Sequence, residues 1–264
     1  MILYFSATGN TRFIARELAR RLEDEALDLT VRIREGDHSP ISSQKPFVIC
    51  SPVYVAEPPR FLLSFLRDTP LRGSRDVYFV FSSGGYSGIS AFLCRRLAQS
   101  KGLRYCGSAD FKMPRNYLIS TAYPPLETPE IESRIRSACQ KLPETAEALR
   151  AGGQLSSRHI WLWEILVTLP FVPVWARFRQ GTGDFSVTAA CISCGKCERG
   201  CPLKVIRMRD GKPVWDAPRC AHCMACIQNC PAGAIEYGRR TQGLERYRFD
   251  KYRYVIKPDG KAEP

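Results

Sequence analysis

Eight of the twelve cysteines in this 264-residue chain fall into two copies of one spacing. The first copy reads Cys191-Ile-Ser-Cys194-Gly-Lys-Cys197-Glu-Arg-Gly-Cys201-Pro202, and the second reads Cys220-Ala-His-Cys223-Met-Ala-Cys226-Ile-Gln-Asn-Cys230-Pro231. Two-residue gaps put three thiolates on one tight loop, where each can meet a different corner of a cubane. A fourth cysteine followed by proline marks the run in which the last thiolate serves the neighbouring 4Fe-4S cluster. The spacing therefore predicts two 4Fe-4S clusters, one on Cys191, Cys194, Cys197 and Cys230, the other on Cys220, Cys223, Cys226 and Cys201. Gly195, Ala221 and Ala225 leave room for backbone amides near the cluster sulfurs, and Pro202 and Pro231 turn the chain away.

Two other uses of cysteine fit less well. Structural zinc normally takes separated C-x2-C pairs rather than three successive short gaps. Disulfides need an oxidising compartment, whereas Met1 to Ser6 run straight into an apolar strand pattern with no basic leader or cleavage site, so a cytoplasmic location is expected. Cys50, Cys94, Cys106 and Cys139 sit in apolar contexts and read as buried hydrophobes. His222, between two motif cysteines, is expected to be an exposed loop side chain, with an extra ligand or proton-coupled role as the alternative.

A second feature with chemistry is Ser6-Ala7-Thr8-Gly9-Asn10-Thr11, which follows an apolar strand and opens a helix. Hydroxyls, the Asn10 amide and free backbone N–H groups at a helix start make an anion cradle. The absence of lysine speaks against a nucleoside triphosphate, and no G-x-G-x-x-G run is present for a dinucleotide, so a monophosphate fits; the same string also suits a plain N-cap. Two further strand ends carry turns with an aromatic, Ser51-Pro52-Val53-Tyr54 and Ser82-Ser83-Gly84-Gly85-Tyr86-Ser87-Gly88, so that Tyr54 or Tyr86 could stack on a planar ring.

These loops must be held by regular elements. Apolar runs at Ile2 to Ser6, Phe47 to Val53 and Val77 to Ser82 predict buried parallel strands, with weaker strands near Leu29 to Ile33 and Tyr105 to Met113. Ile14, Leu18 and Leu22 form one helical stripe, and further helices are expected at Pro59 to Leu66, Ile89 to Lys101 and Pro129 to Leu149. Such alternation predicts a parallel sheet covered on both faces, with ligands beyond the carboxyl ends of its strands. Residues 1–150 read as this α/β domain, 151–188 as an aromatic-rich apolar join, and 189–264 as a small α+β ferredoxin-like domain with a basic tail.

The join contains Ile160 to Trp175, which is interrupted by Glu164, Pro170 and Pro173 and is shorter than the ~20 residues of a membrane span. Burial between domains is the expectation; a place in a membrane interface is the alternative. Net charge is +13, and 15 basic against 8 acidic side chains from Cys191 onward leave a surplus of 7 there. An acidic redox partner follows from that charge. Nucleic acid is the rival, since Arg246 to Tyr254 interleaves bases with aromatics, but no recognised nucleic-acid module surrounds the run, so no nucleic acid is expected; a strand or loop that packs its aromatics on the core and leaves its basic side chains in water is expected instead.

Ser6 to Thr11, Pro52 to Tyr54 and Gly84 to Gly88 resemble the three FMN loops of the flavodoxin family. The whole chain resembles the flavodoxin-ferredoxin fusions of the EFR1 family, with Met113-Pro114-Arg115-Asn116-Tyr117 and Trp215 also matching. The resemblance implies a flavodoxin-like doubly wound five-stranded sheet that binds FMN through Ser6, Ala7, Thr8, Gly9, Asn10, Thr11, Pro52, Val53, Tyr54, Ser83, Gly84, Gly85, Tyr86, Gly88 and Asn116. The expected function is electron transfer between the two 4Fe-4S clusters, FMN and an external redox partner, with no catalytic side chain beyond cofactor binding. A ferredoxin-dependent flavin reductase acting on a small molecule or quinone is the second reading, and a non-catalytic module with structural clusters is the third.

Overall fold

The computed structural model describes residues 1–120 and 122–256; the last residues of the expected basic tail lie outside them. The chain runs β1 (Ile2–Tyr4), α1 (Asn10–Leu22), β2 (Ala26–Asp28), α2 (Thr30–Glu35), β3 (Ile41–Ser43), β4 (Phe47–Pro52), α3 (Arg60–Asp68), β5 (Leu71–Gly73), β6 (Asp76–Ser83), α4 (Ser90–Ser100), β7 (Arg104–Lys112) and α5 (Thr128–Arg150). Five of these strands make one parallel sheet in the order β2-β1-β4-β6-β7. Counted within the sheet this is 2-1-3-4-5, the flavodoxin-like order.

Continuous apolar strands need cover on both faces, and they have it. Ile14, Leu18, Ile135 and Leu142 close one face over Tyr4, Val48 and Val80, while Leu62, Phe65, Cys94 and Ala98 close the other over Leu3, Ile49 and Phe79. Cys50, Cys94 and Cys106 are buried within these cores and Cys139 is half-buried.

The strand expected near Leu29 to Ile33 is a helix instead. Val31 and Ile33 alternate as in a strand, but the Asp28 carboxylate accepts both the Thr30 N–H at 2.9 Å and the Thr30 hydroxyl, a local turn that starts α2. The edge strand itself is the short Ala26–Asp28.

In β7 the register slips opposite Val77 and Phe79, a bulge centred on Gly107. Gly107 has φ +100° and faces the backbone of Leu155, which crosses the sheet edge by donating its N–H to the Cys106 carbonyl. A Cβ there would stand 2.0 Å from the Leu155 carbonyl oxygen. Gly107→Ala is expected to destabilise the protein by about 1–3 kcal/mol, read from its urea midpoint. An unchanged midpoint would show that the join does not brace the sheet.

The join forms α6 (Leu162–Arg179). Its expected burial between domains is not found: only Glu164 and Val172 are buried, and Trp161, Leu162, Trp163, Leu166, Val167, Phe171, Val174 and Phe178 are each more than half exposed. The helix touches the rest of the molecule along a single stripe, so most of its apolar surface has nothing over it.

The small domain follows as β8 (Phe185–Val187), α7 (Lys196–Arg199), β9 (Ile206–Arg209), β10 (Lys212–Trp215), α8 (Ala225–Asn229) and β11 (Ile235–Tyr237). β8 pairs with β11 and β9 with β10, both antiparallel. Asp210 and Gly211, both at positive φ, turn the β9–β10 hairpin. The chain then leaves this domain. Tyr247, Phe249 and Tyr252 are buried in the core around α1 and α5, so the run assigned to a tail of the small domain belongs physically to the first domain. Those three aromatics pack inward, while Arg253 and Tyr254 stay exposed and Arg248 is half-buried.

Candidate functional site

The two cysteine loops bend through matching left-handed residues, Ser193 and Gly195 in one, His222 and Met224 in the other. Short helices α7 and α8 follow each loop, so the repeat seen in the spacing is a repeat in backbone shape. Cys191, Cys194, Cys197 and Cys230 ring one cavity of about 20 Å³, and Cys201, Cys220, Cys223 and Cys226 ring another of about 20 Å³. Each set takes three thiols from one motif and the fourth from the other. Among the described residues no three His, Cys, Asp or Glu side chains converge on a single metal ion. All twelve cysteines are free.

Burial pushes the Cys220 and Cys223 thiols up to about 12 and raises Cys226 and Cys197 as well. These sulfurs stay protonated unless positive charge is placed among them. Two of the eight motif sulfurs accept backbone N–H groups at 3.3 Å, Cys220 from His222 and Cys230 from Ala234. Trp215 stacks on Phe185 with ring centroids 4.7 Å apart and helps wall the Cys220 cavity from water.

His222 is not the exposed side chain expected from its loop position. It is buried, and since the Gly181 carbonyl can only accept, Nε2–H donates to it at 2.8 Å, leaving Nδ1 to accept the Tyr117 hydroxyl at 3.3 Å. Burial lowers its basicity and keeps the ring neutral. The left-handed turn at His222 aims its side chain inward, which the spacing of the cysteines does not reveal.

A larger cavity, about 230 Å³, opens at the carboxyl ends of β1, β4, β6 and β7. Its wall includes Ser6, Ala7, Thr8, Asn10, Thr11, Pro52, Val53, Tyr54, Ser83, Gly84 and Asn116. Gly9, Gly85, Tyr86 and Gly88 do not line it. Gly9 backs onto Phe249, Gly85 onto Lys112 and Gly88 onto Ala56. Tyr86 turns away altogether: its hydroxyl donates to Glu164 at 2.7 Å and its ring lies under Arg158. Of the two aromatic candidates, Tyr54 is the one at the cavity.

The side chains of the Ser6 to Thr11 loop are largely occupied in building the wall. Thr11 and Ser82 share a hydroxyl bond of 2.7 Å, Thr8 accepts from Asn116, and Asn10 donates to the Pro114 carbonyl at 2.9 Å while accepting from Tyr247 at 2.6 Å. The leading N–H groups of α1 meet no capping side chain, because Gly9 at the N-cap has none. Two buried groups in the same wall have no partner, the Tyr54 hydroxyl and Arg115 Nε. Uncapped amides, an arginine and an unpaired phenol suit an anionic ligand with a planar polar ring. The volume falls just under the ~300–1,000 Å³ of ligand pockets, and Tyr123, Tyr247 and Tyr252 also line it.

The two halves meet through this wall. Asn229 donates to the Ala7 carbonyl at 2.9 Å, Gln228 donates to the Asn116 carbonyl at 2.8 Å, and Leu118 and Ile119 are buried against Met224 and Ile227 of the small domain. Tyr54 lines both the 230 Å³ cavity and a neighbouring one of about 240 Å³ whose wall includes Cys220. Cys191, Cys194 and Cys197 line neither. Sequence reading missed Tyr123, Gln228, Asn229, Tyr247 and Tyr252. The alternation of Tyr247 with Phe249 was a signal for a buried strap; nothing local marks the others.

Residues 190–235 match the family described as a 4Fe-4S dicluster domain. The chain is 32% identical over 76 residues to the iron-sulfur subunit of nitrate-inducible formate dehydrogenase from Escherichia coli (strain K12), covering 26% of each chain. It is 44% identical over 46 residues to one subunit of an ion-translocating oxidoreductase complex from Methanosarcina acetivorans, covering 17% of each. The chain thus spans about a third or less of the curated relatives it matches. Among solved structures, Megasphaera elsdenii flavodoxin aligns at TM-score 0.28 and 15% identity, covering 53% of this chain and 99% of that one. A Lactobacillus acidophilus flavoprotein solved with FMN aligns at TM-score 0.28 and 19% identity, covering 41% and 90%. Scores this low carry no weight, and the flavodoxin-like assignment rests on the strand order. The molecule is a flavodoxin-like domain joined to a 4Fe-4S ferredoxin-type domain.

Proposed function

We propose that the chain is an electron-transfer protein of the EFR1 type that links two 4Fe-4S clusters to FMN. Cys191, Cys194, Cys197 and Cys230 hold an outer cluster, and Cys201, Cys220, Cys223 and Cys226 an inner one. The backbone of Thr8 to Thr11, with Arg115, holds the phosphate end of the flavin, and Tyr54 faces its ring. When bound, the clusters supply one-electron transfer and the flavin joins single electrons to two-electron chemistry. The chain's own residues do the positioning. Asn229 and Gln228, on the helix between Cys226 and Cys230, grip the carbonyls of the FMN loops, so the inner cysteine set cannot drift from the flavin cavity without breaking them. That junction is the observation that carries the reading.

Exposed Lys196, Arg199, Arg207, Arg209 and Lys212 surround the outer set beside exposed Ile192, a surface suited to an acidic redox protein. A second reading, reduction of a small lipophilic acceptor such as a quinone, draws on the 240 Å³ cavity between Tyr54, Phe61, Val172 and Cys220.

The test is flash photoreduction of the anaerobic, fully loaded protein. Absorbance is expected to move from the iron-sulfur bands to the flavin band in a first-order phase whose rate does not change on dilution. A rate that scales with protein concentration would mean transfer between molecules and would end the proposal.

A further inference from the structure

Helix α6 carries an inverted surface. Its inward stripe is Glu164, Thr168, Val172 and Ala176, four residues apart and so stacked on one face. Glu164 is the only acid between residues 151 and 183, and it is fully engaged there. It accepts from Arg158 at 2.8 Å, from the Tyr86 hydroxyl at 2.7 Å and from the Trp161 N–H at 2.8 Å. The one carboxylate that water would solvate is thus turned in. Facing out are Leu162, Trp163, Leu166, Phe171, Val174 and Phe178, all more than half exposed. Single exposed apolar residues are ordinary, but a continuous stripe of this length marks an interaction surface.

Charge selects the occupant. Arg177 and Arg179 stand exposed in the last turn of the same helix, and no acid shares its outer face. A second copy would set two chains of net charge +13 and two arginine pairs against each other. An anionic surface is attracted instead. Exposed Trp161 and Trp163 at its start, an apolar outer face and two arginines in its last turn suit a helix lying in the headgroup plane of a bilayer. No helix among the described residues is long and apolar enough to cross a membrane, so the fit is to its surface.

We propose that α6 docks the protein on an anionic lipid bilayer. Its outward side chains enter the interface to a depth of about 5–10 Å, and Arg177 and Arg179 meet lipid phosphates. This goes beyond the electron-transfer reading and does not depend on it.

The test uses full-length holoprotein with vesicles of phosphatidylcholine alone or mixed with phosphatidylglycerol, scored by flotation and tryptophan emission. Three of the four tryptophans, Trp161, Trp163 and Trp175, lie in this segment. Wild type is expected to float with the anionic vesicles, to show blue-shifted emission, and to be released by salt. Leu166→Ser/Phe171→Ser/Phe178→Ser should weaken partitioning more than about tenfold. Those three side chains are exposed, so unchanged iron-sulfur absorbance checks the fold. Arg177→Glu/Arg179→Glu should lose the preference for anionic lipid. The proposal is overturned if wild type ignores both vesicles, if it binds both equally, or if the triple variant floats as well as wild type. It is also overturned if sedimentation shows a dimer that the triple variant abolishes, which would assign the face to a second copy.

Discussion

Cys201→Ala is expected to remove the inner cluster, the one proposed on Cys220, Cys223 and Cys226, and to leave the outer one. The contiguous alternative, in which each motif serves its own cluster, predicts loss of the outer one. Double variants separate the two without any assignment of spectra. If ligation crosses between motifs, Cys191→Ala/Cys201→Ala damages both clusters, and iron falls from about eight per chain toward zero. Cys201→Ala/Cys220→Ala damages only one, and about four iron remain. The reverse result would show that the rings of thiols around the two small cavities are not the ligand sets. The loss should be large because burial holds Cys220 and Cys223 as neutral thiols unless iron offsets the cost, so a partly liganded site has little to retain it.

Phe249→Ala should destabilise the first domain by about 3–5 kcal/mol. Phe249 is buried, stacks on Phe13 with centroids 4.4 Å apart, and gives its N–H to the Thr8 carbonyl at 3.0 Å. Truncation leaves a void beside α1 and loosens the strap that carries Tyr247 and its bond to Asn10. Calorimetry and FMN titration should both move, the second because Thr8 and Asn10 build the cavity wall. The cluster absorbance should hold, since the strap does not pack on the cysteine loops. A variant as stable as the parent would show that the strap decorates the domain and does not hold it.

The same strap shows where sequence reading stops. The alternation of bases and aromatics from Arg246 to Tyr254 said that one side would be buried, and it is. It did not say against what, and the partner is α1, more than two hundred residues away. Leu29 to Ile33 failed for a local reason: three alternating apolar residues are too few to outweigh a carboxylate that starts a helix turn. Tyr86 failed for a distant one, since Glu164 and Arg158 on the join draw it away from the cavity that Tyr54 keeps.

By itself the sequence determined what depends on neighbours in the chain. The grouping of thiols on each loop follows from two-residue gaps, the order of most strands and helices from apolar runs and a helical period, and the uncapped start of α1 from the glycine before it. The fold decided what depends on which faces meet. His222 is turned inward, Asn229 and Gln228 tie the loops of the 230 Å³ cavity to the second cysteine motif, and α6 spends its only carboxylate on Tyr86 and Arg158 while Trp161 and Trp163 face out. A side chain's direction is set by backbone dihedrals and by partners far along the chain, and neither is written in the spacing of its neighbours.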